Sequence, residues 1–365
     1  MKNLVALSIL SVAAPAYSQS LDAWLEPAPV ASPHDMAIDA NRLAEPQAEA
    51  AITVDPQNRA QVALLYFSTY LPEDGAINGW AGSIASCNAG ATATAFQLAM
   101  VERINVYRAL AGLPGNVVAY SGTTNQSGDQ QAALMMVANS ALSHSPPATW
   151  KCYTAAGASA AGSSNLTLGS GFSYDGPIAV DGYMDDDGTG NEGAGHRRWL
   201  LYPPEANVAT GDVDATNGSG GRSSNALWVI GGWGSRPSTP NGIAWPPRGY
   251  IPYQLLPSGS NRWSLSIQNA DFSHATVSMK RNGAALPTPA IEPFEFNGQP
   301  NGSFIGDNTI VWVPSGVTYT QPTLDVTYHV TVSGIVGSPT SVSYDVIVFD
   351  PGTDDNEIFA DGFDG

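Results

Sequence analysis

Residues 95–110 read AFQLAMVERINVYRAL. The large apolar side chains of this stretch recur at the spacing of one helix face: Phe96, Met100, Ile104, Tyr107 and Leu110. Gly112 and Pro114 follow closely, and both residue types end helices. The pattern therefore predicts an amphipathic helix over residues 95–110 that packs one face against a core.

A second helix is predicted to begin at Ser127, because Ser127 and Gln130 have the spacing of a capping box. Apolar residues at helical spacing follow, and the pattern ends where His144 and Pro146 begin. Further on, residues 178–183 fit a helix or an extended segment equally well. Two strand-like runs come next, at 206–212 and 226–230. This part of the chain therefore mixes helices and strands.

Beyond residue 255 the hydrophobic period changes to two. Apolar and polar residues alternate over residues 263–268, 326–333 and 342–348. Asn282-Gly283 supplies a turn signal typical of a hairpin. Several short alternating strands over about a hundred residues predict a β-sandwich of immunoglobulin-like type, without any cysteine. Such modules usually serve as spacers or adhesion units and seldom catalyse reactions.

The overall composition bounds the functional classes. The chain has 365 residues, with 14 Lys and Arg against 32 Asp and Glu, for a net charge of −18. That length predicts two or three domains. So acidic a protein is not expected to bind nucleic acid or an anionic membrane surface as its main partner.

Residues 1–18 have the pattern of an export signal, with Lys2 before an apolar run and a small-residue cleavage site at Ala16-Tyr17-Ser18. The apolar run is too short to span a bilayer, and no later stretch is long enough either. A secreted protein, periplasmic or extracellular, is therefore expected, with no transmembrane segment. Residues 19–84 are expected to form an N-terminal extension that runs mostly over the surface and is partly packed on the first domain.

The two cysteines, Cys87 and Cys152, are expected to form a disulfide. In an oxidising compartment each has only the other to pair with. Closing a 65-residue loop would contribute roughly 4 kcal/mol of stability in the chain-entropy model.

Several catalytic signatures are absent from the sequence or out of context. There is no Gly-x-Ser-x-Gly nucleophile elbow and no His-Glu-x-x-His zinc helix. Gly188, Gly190 and Gly193 spell GxGxxG, but three aspartates precede them instead of an apolar strand. The segment 185–192 has the composition of a calcium loop without EF-hand spacing, so a solvated acidic turn is the favoured interpretation over a calcium site.

Two of the five histidines are candidates for chemistry. His34, His274 and His329 lie where a structural role is favoured, in a surface segment, beside a turn and on a polar strand face. His144 ends the second predicted helix, and His196 lies in the run Gly195-His196-Arg197-Arg198-Trp199. Two imidazoles in one mixed domain could meet across a cleft and hold a divalent cation together with carboxylates or water.

At these residues the sequence resembles the CAP superfamily, whose members are also called SCP or sperm-coating-protein-like domains and include bacterial secreted forms. The resemblance rests on the order of several motifs: Arg103-Ile104-Asn105-Val106-Tyr107-Arg108, the second helix with His144, Ser164-Asn165-Leu166, Gly195-His196-Arg197-Arg198 and Val208-Ala209-Thr210-Gly211. It covers roughly residues 85–235 and implies an α-β-α sandwich with a central cleft. The expected fold class is α+β: a CAP domain at 85–235, an ordered linker at 236–256 and the immunoglobulin-like sandwich at 257–350.

The resemblance also implies a set of cleft residues. In the family the cleft commonly holds two histidines and two acidic residues that can take a divalent cation. His144 and His196 match the histidines, and Asp186, or alternatively Asp187, matches the second acidic position. The Glu-Asn-Leu motif is Ser164-Asn165-Leu166 here, so the first carboxylate is missing. The expected cleft is His144, His196, Asp186, Ser164 and Asn165, and the metal set, for Zn or Ca, would be His144, His196 and Asp186.

The functional expectation follows from the family, in which many members are secreted binding proteins and catalysis is seldom established. The leading hypothesis is a secreted CAP-domain protein that binds an extracellular lipid, cell-wall component or protein in a histidine-lined cleft. The alternative from another class is a metal-dependent or histidine-assisted hydrolase, with Ser143 or Ser164 as the hydroxyl. A third hypothesis is a purely structural or adhesive surface protein, with the β-sandwich as spacer or adhesion module.

Residues 351–365 form an acidic end with two phenylalanines. A solvated tail is the default expectation. Residues 358–364, IFADGFD, are similar to short tails at the C-termini of other Gram-negative secreted proteins. A sorting or export role is therefore the alternative for the tail, and a Gram-negative source is expected.

Overall fold

The computed structural model describes residues 24–31, 51–119, 124–170, 175–214, 221–292 and 305–352. The predicted export signal at 1–18, His34 and most of the acidic tail lie outside these residues. Within them the chain combines helices with three β-sheets, so the expected α+β class is confirmed.

The described helices all lie in the first two thirds of the chain. They are α1 Arg59–Leu65, α2 Leu71–Glu73, α3 Thr94–Leu110, α4 Thr124–Asn139, α5 Ala155–Ala161, α6 Gly176–Asp185 and α7 Gly195–Leu200. A π-helical turn at Tyr66–Tyr70 joins α1 to α2, and a 3₁₀ turn lies at Tyr253–Leu255.

Helix α3 confirms the helix predicted at 95–110, but α4 differs from the prediction at both ends. It begins at Thr124, so the side chain of Gln130 lies inside the helix and donates 2.7 Å to the carbonyl of Asp212 instead of capping an N-terminus. It ends at Asn139, and the next residue, Ser140, has a left-handed φ of 52°. A left-handed residue cannot continue a right-handed helix, so His144 lies in a loop.

The first sheet lies between two helical layers. Its strands are β1 Trp24–Leu25, β2 Val118–Ala119, β3 Ser164–Ser170, β4 Asn207–Val213 and β5 Arg222–Trp228, in the order β1-β3-β5-β4-β2. Helices α4 and α5 cover one face, where Leu166 packs against Ala132 and Ala160. Helices α3, α6 and α7 cover the other face, and Tyr183 of α6 binds Asn225 of β5 there.

Strand β3 was not predicted, because its sequence, SNLTLGS, is small and polar. Six of its seven residues are nevertheless buried, since it lies inside the sheet between β1 and β5 and under helices on both faces. The strand predicted at 206–212 is found as β4, shifted by one residue, and the strand predicted at 226–230 overlaps β5, which begins four residues earlier and ends two residues earlier.

The two arginines of the Arg-Ile-Asn-Val-Tyr-Arg motif are buried and hold α3 in place. The guanidinium of Arg103 contacts the carboxylates of Glu73 at 2.6 Å and Asp181 at 2.5 Å. Arg108 donates to backbone carbonyls, including that of Leu200 at 2.9 Å. These side chains connect α3 to α2, α6 and the end of α7.

The remaining strands form two packed sheets. They are β6 Ile243–Trp245, β7 Gly249–Pro252, β8 Trp263–Ile267, β9 Thr276–Arg281, β10 Ala284–Ala285, β11 Ala290–Ile291, β12 Asn308–Val313, β13 Val326–Ser333 and β14 Ser341–Phe349. One sheet has the order β10-β9-β13-β14-β7 and the other β11-β12-β8-β6. Trp263 and Tyr328 meet between the sheets with ring centroids 5.8 Å apart. The arrangement is compatible with a β-sandwich.

The segment predicted as a linker, 236–256, contributes a strand to each of these sheets. Strand β6 pairs with β8, and β7 pairs in parallel with β14. The predicted hairpin turn is found between β9 and β10, where Asn282 and Gly283 both have positive φ. In this structure residues 243–252 are therefore part of the C-terminal sheets, and the predicted domain boundaries stay predictions.

Arg197 connects the helical part to the C-terminal sheets. Its buried guanidinium donates to the carbonyls of Met184 at 2.6 Å and Asp185 at 3.0 Å, at the end of α6. It also donates to the carbonyl of Arg262 at 2.9 Å and to Ser264 Oγ at 3.1 Å, beside and within β8. Burial lowers the pKa of this side chain to about 10.

Among the described helices, none has the combination of length and apolar character that crossing a membrane requires.

Candidate functional site

The centre of the site is a buried pair of side chains, His196 and Asp186. His196 is the second residue of α7, and its Nδ1 lies 2.8 Å from Oδ1 of Asp186. Both side chains are fully buried. The other carboxylate oxygen of Asp186 accepts the backbone N–H of Arg197 at 3.1 Å. One carboxylate therefore holds both the imidazole and the start of the helix that carries it.

The loop between the two residues owes its shape to left-handed backbone conformations. Asp186, which caps the C-terminus of α6, has a φ of 58°, and Ala194, just before α7, has a φ of 48°. Such conformations are uncommon for residues other than glycine, although aspartate tolerates them better than most. They persist where the surrounding structure imposes them, which is frequent at functional sites.

Tyr183 supports the ring of His196 from one side. The two rings stack at 5.4 Å with an interplanar angle of 18°, and the hydroxyl of Tyr183 donates 2.8 Å to Oδ1 of Asn225. Burial raises the pKa of Tyr183 well above its ordinary value, so the hydroxyl stays protonated. The stacked ring of Tyr183 thus fixes the plane of the imidazole, and the carboxylate of Asp186 fixes Nδ1.

The other nitrogen of His196, Nε2, is buried and has no hydrogen-bond partner within the part of the chain that the structure describes. Because Nδ1 faces a carboxylate, we assign the proton to Nδ1, which leaves a lone pair on Nε2. Asn165 of β3 donates from Nδ2 to the carbonyl of His196 at 3.3 Å, and its Oδ1 is likewise buried without a described partner.

His144 contacts two backbone carbonyls. Its Nδ1 lies 2.7 Å from the carbonyl of Ala161, at the end of α5, and its Nε2 lies 2.7 Å from the carbonyl of Pro27. Burial lowers the pKa of His144, and the two carbonyl contacts oppose that shift. A proton added to His196 would lower the pKa of His144 further, so the two rings lie within electrostatic range of each other.

Residues 24–31 lie over this region. Strand β1 pairs with β3, the carbonyl of Pro27 contacts His144, and the carbonyl of Pro29 accepts from Nε1 of Trp199 at 2.8 Å. Ala28 lies directly on Gly195, whose added Cβ would come within 2.6 Å of the Ala28 Cβ. The surface between β3, His144 and α7 is therefore occupied by an extended segment of the same chain.

Ser164 does not join His196. Its Oγ lies 2.8 Å from Oδ1 of Asp129 in α4 and 2.7 Å from the carbonyl of Ala160 in α5. Burial raises the pKa of Asp129 well above its ordinary value, which favours a protonated acid at this contact. Since successive strand residues point to opposite faces, Ser164 faces the α4–α5 layer while Asn165 faces α7.

The nitrogens of the expected cation set mostly contact protein atoms. Both nitrogens of His144 and the Nδ1 of His196 already have oxygen partners, whereas Nε2 of His196 has none in the described residues and the carboxylate oxygens of Asp186 keep further lone pairs. Across the described ranges there is no group of three or more His, Cys, Asp or Glu side chains that could hold a metal ion. The Zn or Ca set of His144, His196 and Asp186 therefore stays a prediction.

The disulfide between Cys87 and Cys152 is present, as predicted, with the two Cα atoms 5.0 Å apart. It links the loop after Trp80 to the turn before α5. Around it lies a small separate hydrophobic cluster that includes Trp80 and Leu134.

A second group of buried polar side chains was missed in the sequence. Asn225 donates to Oδ1 of Asp212 at 2.7 Å and to Thr210 Oγ1 at 2.9 Å, and Asp212 Oδ1 accepts the N–H of Gly176 at 2.8 Å. Burial raises the pKa of Asp212 to about 6 and that of Asp175 to about 8. The sequence did offer one indication of this group, because Thr210 and Asp212 are two residues apart in a predicted strand and so lie on the same face.

Comparison with known proteins gives one match. Residues 101–230, about a third of the chain, match the model of the CAP family, described as the cysteine-rich secretory protein family. No curated protein and no solved structure matches the chain. The matched residues include α4, β3, α7, His144, His196 and Asp186, so the match and the layered fold together support a CAP domain in this part of the chain.

Proposed function

We propose that the chain is a secreted CAP-domain protein that binds an extracellular ligand beside His144 and His196. The binding surface lies between β3, His144 and α7, is here called the groove, and is covered by residues 24–31 in this structure. The observation that carries the proposal is the state of His196. Asp186 and Tyr183 fix its ring, yet its Nε2 is buried without a partner in the described residues. A buried acceptor without a partner costs free energy, and a donor group on a ligand would satisfy it.

Binding is favoured over hydrolysis by the positions of the candidate hydroxyls. Ser164 contacts Asp129 and Ala160, and Ser143 Oγ accepts the backbone N–H of Ser145 at 3.0 Å. Neither hydroxyl contacts an imidazole nitrogen, whereas a histidine-activated nucleophile needs that contact. The hydrolase hypothesis therefore has less support than the binding hypothesis.

The test is a titration of purified protein with cell-wall fragments and with lipid vesicles, for the wild type and two groove variants. His144→Ala removes the contact to Pro27, and His196→Gln keeps a polar side chain while removing the ring. His274→Ala, at an exposed turn, is the matched control. We expect the two groove variants to weaken binding at least tenfold and the control to leave it unchanged. Equal affinity in all four proteins, or binding by none, would contradict the proposal.

We infer export from the signal at residues 1–18, together with the disulfide and the extracellular character of the family. The acidic tail at 351–365 is proposed to assist sorting from a Gram-negative cell. N-terminal sequencing of protein from the periplasm or the medium should give Gln19 as the first residue. Deleting the tail should reduce delivery to the medium, and unchanged delivery would remove its proposed role.

We propose that the two C-terminal sheets form an immunoglobulin-like module that serves as spacer or adhesion unit. Its predicted range is 257–350, to which residues 243–252 add β6 and β7. Their alternating strands and packed faces support this assignment. The contacts of Arg197 to β8 support a fixed attachment to the CAP domain. An experimental structure in which the two sheets do not stack face to face would contradict it.

A further inference from the structure

Residues 24–31, WLEPAPVA, are here called the strap. The strap contacts the rest of the chain in the way that an extended peptide contacts a receptor. Its first two residues pair antiparallel with β3, Trp24 opposite Leu168 and Leu25 opposite Thr167. Without them β3 would be the edge of the first sheet. Adding an extended segment to a sheet edge is a recurring mode of peptide recognition.

The next residues of the strap contact the groove through their backbone carbonyl oxygens. The carbonyls of Pro27 and Pro29 contact Nε2 of His144 at 2.7 Å and Nε1 of Trp199 at 2.8 Å. Proline has no backbone N–H, so at these positions the strap offers acceptors only. The groove presents a side-chain nitrogen at each of them, which matches an extended proline-containing peptide.

The groove is also shaped for a small side chain between the two prolines. Gly195 leaves room for Ala28, since a Cβ there would lie 2.6 Å from the Ala28 Cβ. Ala28 and Ala31 are buried, with 8% and 0% exposure, whereas Val30 between them is 50% exposed. The surface therefore selects a small residue at Ala28 and encloses Ala31, whereas Val30 is open to solvent.

We propose that this groove is a peptide-binding site for extended, alanine- and proline-rich segments of a partner protein, and that the strap is its intramolecular occupant. The inference rests on the proposed binding function and names the chemical class of its ligand. It also implies regulation, because a partner must displace the strap. A tethered segment has an effective concentration on the order of 1 mM, so a strap with a Kd of about 0.1 mM weakens a competing peptide about tenfold.

The first experiment measures binding of a labelled peptide, AWLEPAPVAS, to the full chain by fluorescence anisotropy. One protein is the wild type, and the other has residues 24–31 replaced by an eight-residue Gly/Ser sequence. We expect the replaced chain to bind the peptide at least tenfold more tightly than the wild type. Introducing Gly195→Ala into the replaced chain should weaken binding at least tenfold, and a peptide with Gly in place of Ala28 should restore it.

Gly182→Ala is the matched control, because nothing lies within 4 Å of a Cβ at Gly182 in α6. It should leave peptide binding unchanged. Absence of binding to the replaced chain up to millimolar peptide, or binding that Gly195→Ala does not weaken, overturns the inference. If cell-wall fragments or vesicles bind in a His144-dependent way while the peptide does not, the inference fails and the proposed function stands. If nothing binds, both fail.

A second experiment avoids the replaced chain, whose folding must be checked by thermal melting. In the otherwise unaltered protein, Gly195→Ala should increase hydrogen exchange of residues 24–31 at least tenfold, because its methyl group collides with Ala28. Adding Ala28→Gly should return exchange to the wild-type rate. Exchange that is the same in the wild type and Gly195→Ala shows that the strap does not occupy the groove in solution, and overturns the inference.

Discussion

The imidazole of His196 and the carboxylate of Asp186 lie 2.8 Å apart, ten residues apart in sequence and fully enclosed by protein. The carboxylate accepts two donors, the ring Nδ1–H and the backbone N–H of Arg197. It therefore sets the tautomer of the ring and the start of α7 together. Asp186 thus has a structural role in the site, whereas the composition of its loop indicates only an acidic turn.

Asp186→Asn should lower the free energy of unfolding by about 1–3 kcal/mol, the cost of leaving a buried polar group unsatisfied. Asparagine tolerates the left-handed backbone, but it has one acceptor oxygen for two donors. Urea denaturation followed by circular dichroism would measure the change. Asp187→Asn is the control, since Asp187 is exposed, and an equal loss in both variants would contradict the assigned role.

The stability of the wild type should fall as pH rises from 4 to 9. Asp212 and Asp175 have pKa values raised by burial to about 6 and about 8, above the ordinary value near 4. The folded protein holds these protons more tightly than the unfolded chain does. Their contribution is therefore complete below pH 4 and is lost as pH rises through 6 and then 8.

Asp212→Asn should reduce the slope of that profile between pH 4 and 6, and Asp175→Asn should reduce it between pH 4 and 8, because an amide does not ionise. Melting temperatures measured at intervals of one pH unit would show this. Asp187→Asn serves again as an exposed control and should leave the slope unchanged. A variant profile parallel to that of the wild type would contradict the titration of that residue.

Removing the disulfide with Cys87→Ser and Cys152→Ser should lower the free energy of unfolding by about 4 kcal/mol, the loop-closure value for 65 residues. Guanidinium denaturation would measure it. Wild type treated with a reducing agent should lose a similar amount, which separates loss of the bond from the effect of the serines. A loss below about 1 kcal/mol in both would contradict the chain-entropy estimate.

Arg197→Met should destabilise the protein by at least about 2 kcal/mol, because it removes a charged donor from three buried carbonyls and a hydroxyl. Arg197→Lys should recover only part of the loss, since an ammonium lacks the planar fork of donors. The half-buried Arg281→Met in β9 is the control. Chemical denaturation that gives the same midpoint for Arg197→Met and the control would contradict this role.

Local patterns in the sequence predicted much of the fold. The helix at 95–110, the alternating strands after residue 255 and the turn at Asn282-Gly283 depend on residues close along the chain. The disulfide was predictable because each cysteine has only one possible partner in the sequence. Strand β3 was missed, since its burial depends on neighbours on both sides and on two helical layers.

The residues of the candidate site were proposed from the sequence, and their geometry was not. His144, His196 and Asp186 can be read along the chain in the order of the family that it resembles. What each nitrogen contacts depends on the folded chain, because the partners are distant in sequence. His144 meets Pro27 across 117 residues, and Trp199 meets Pro29 across 170. Hydrogen bonds act over about 3 Å, so such contacts exist only once the chain has folded.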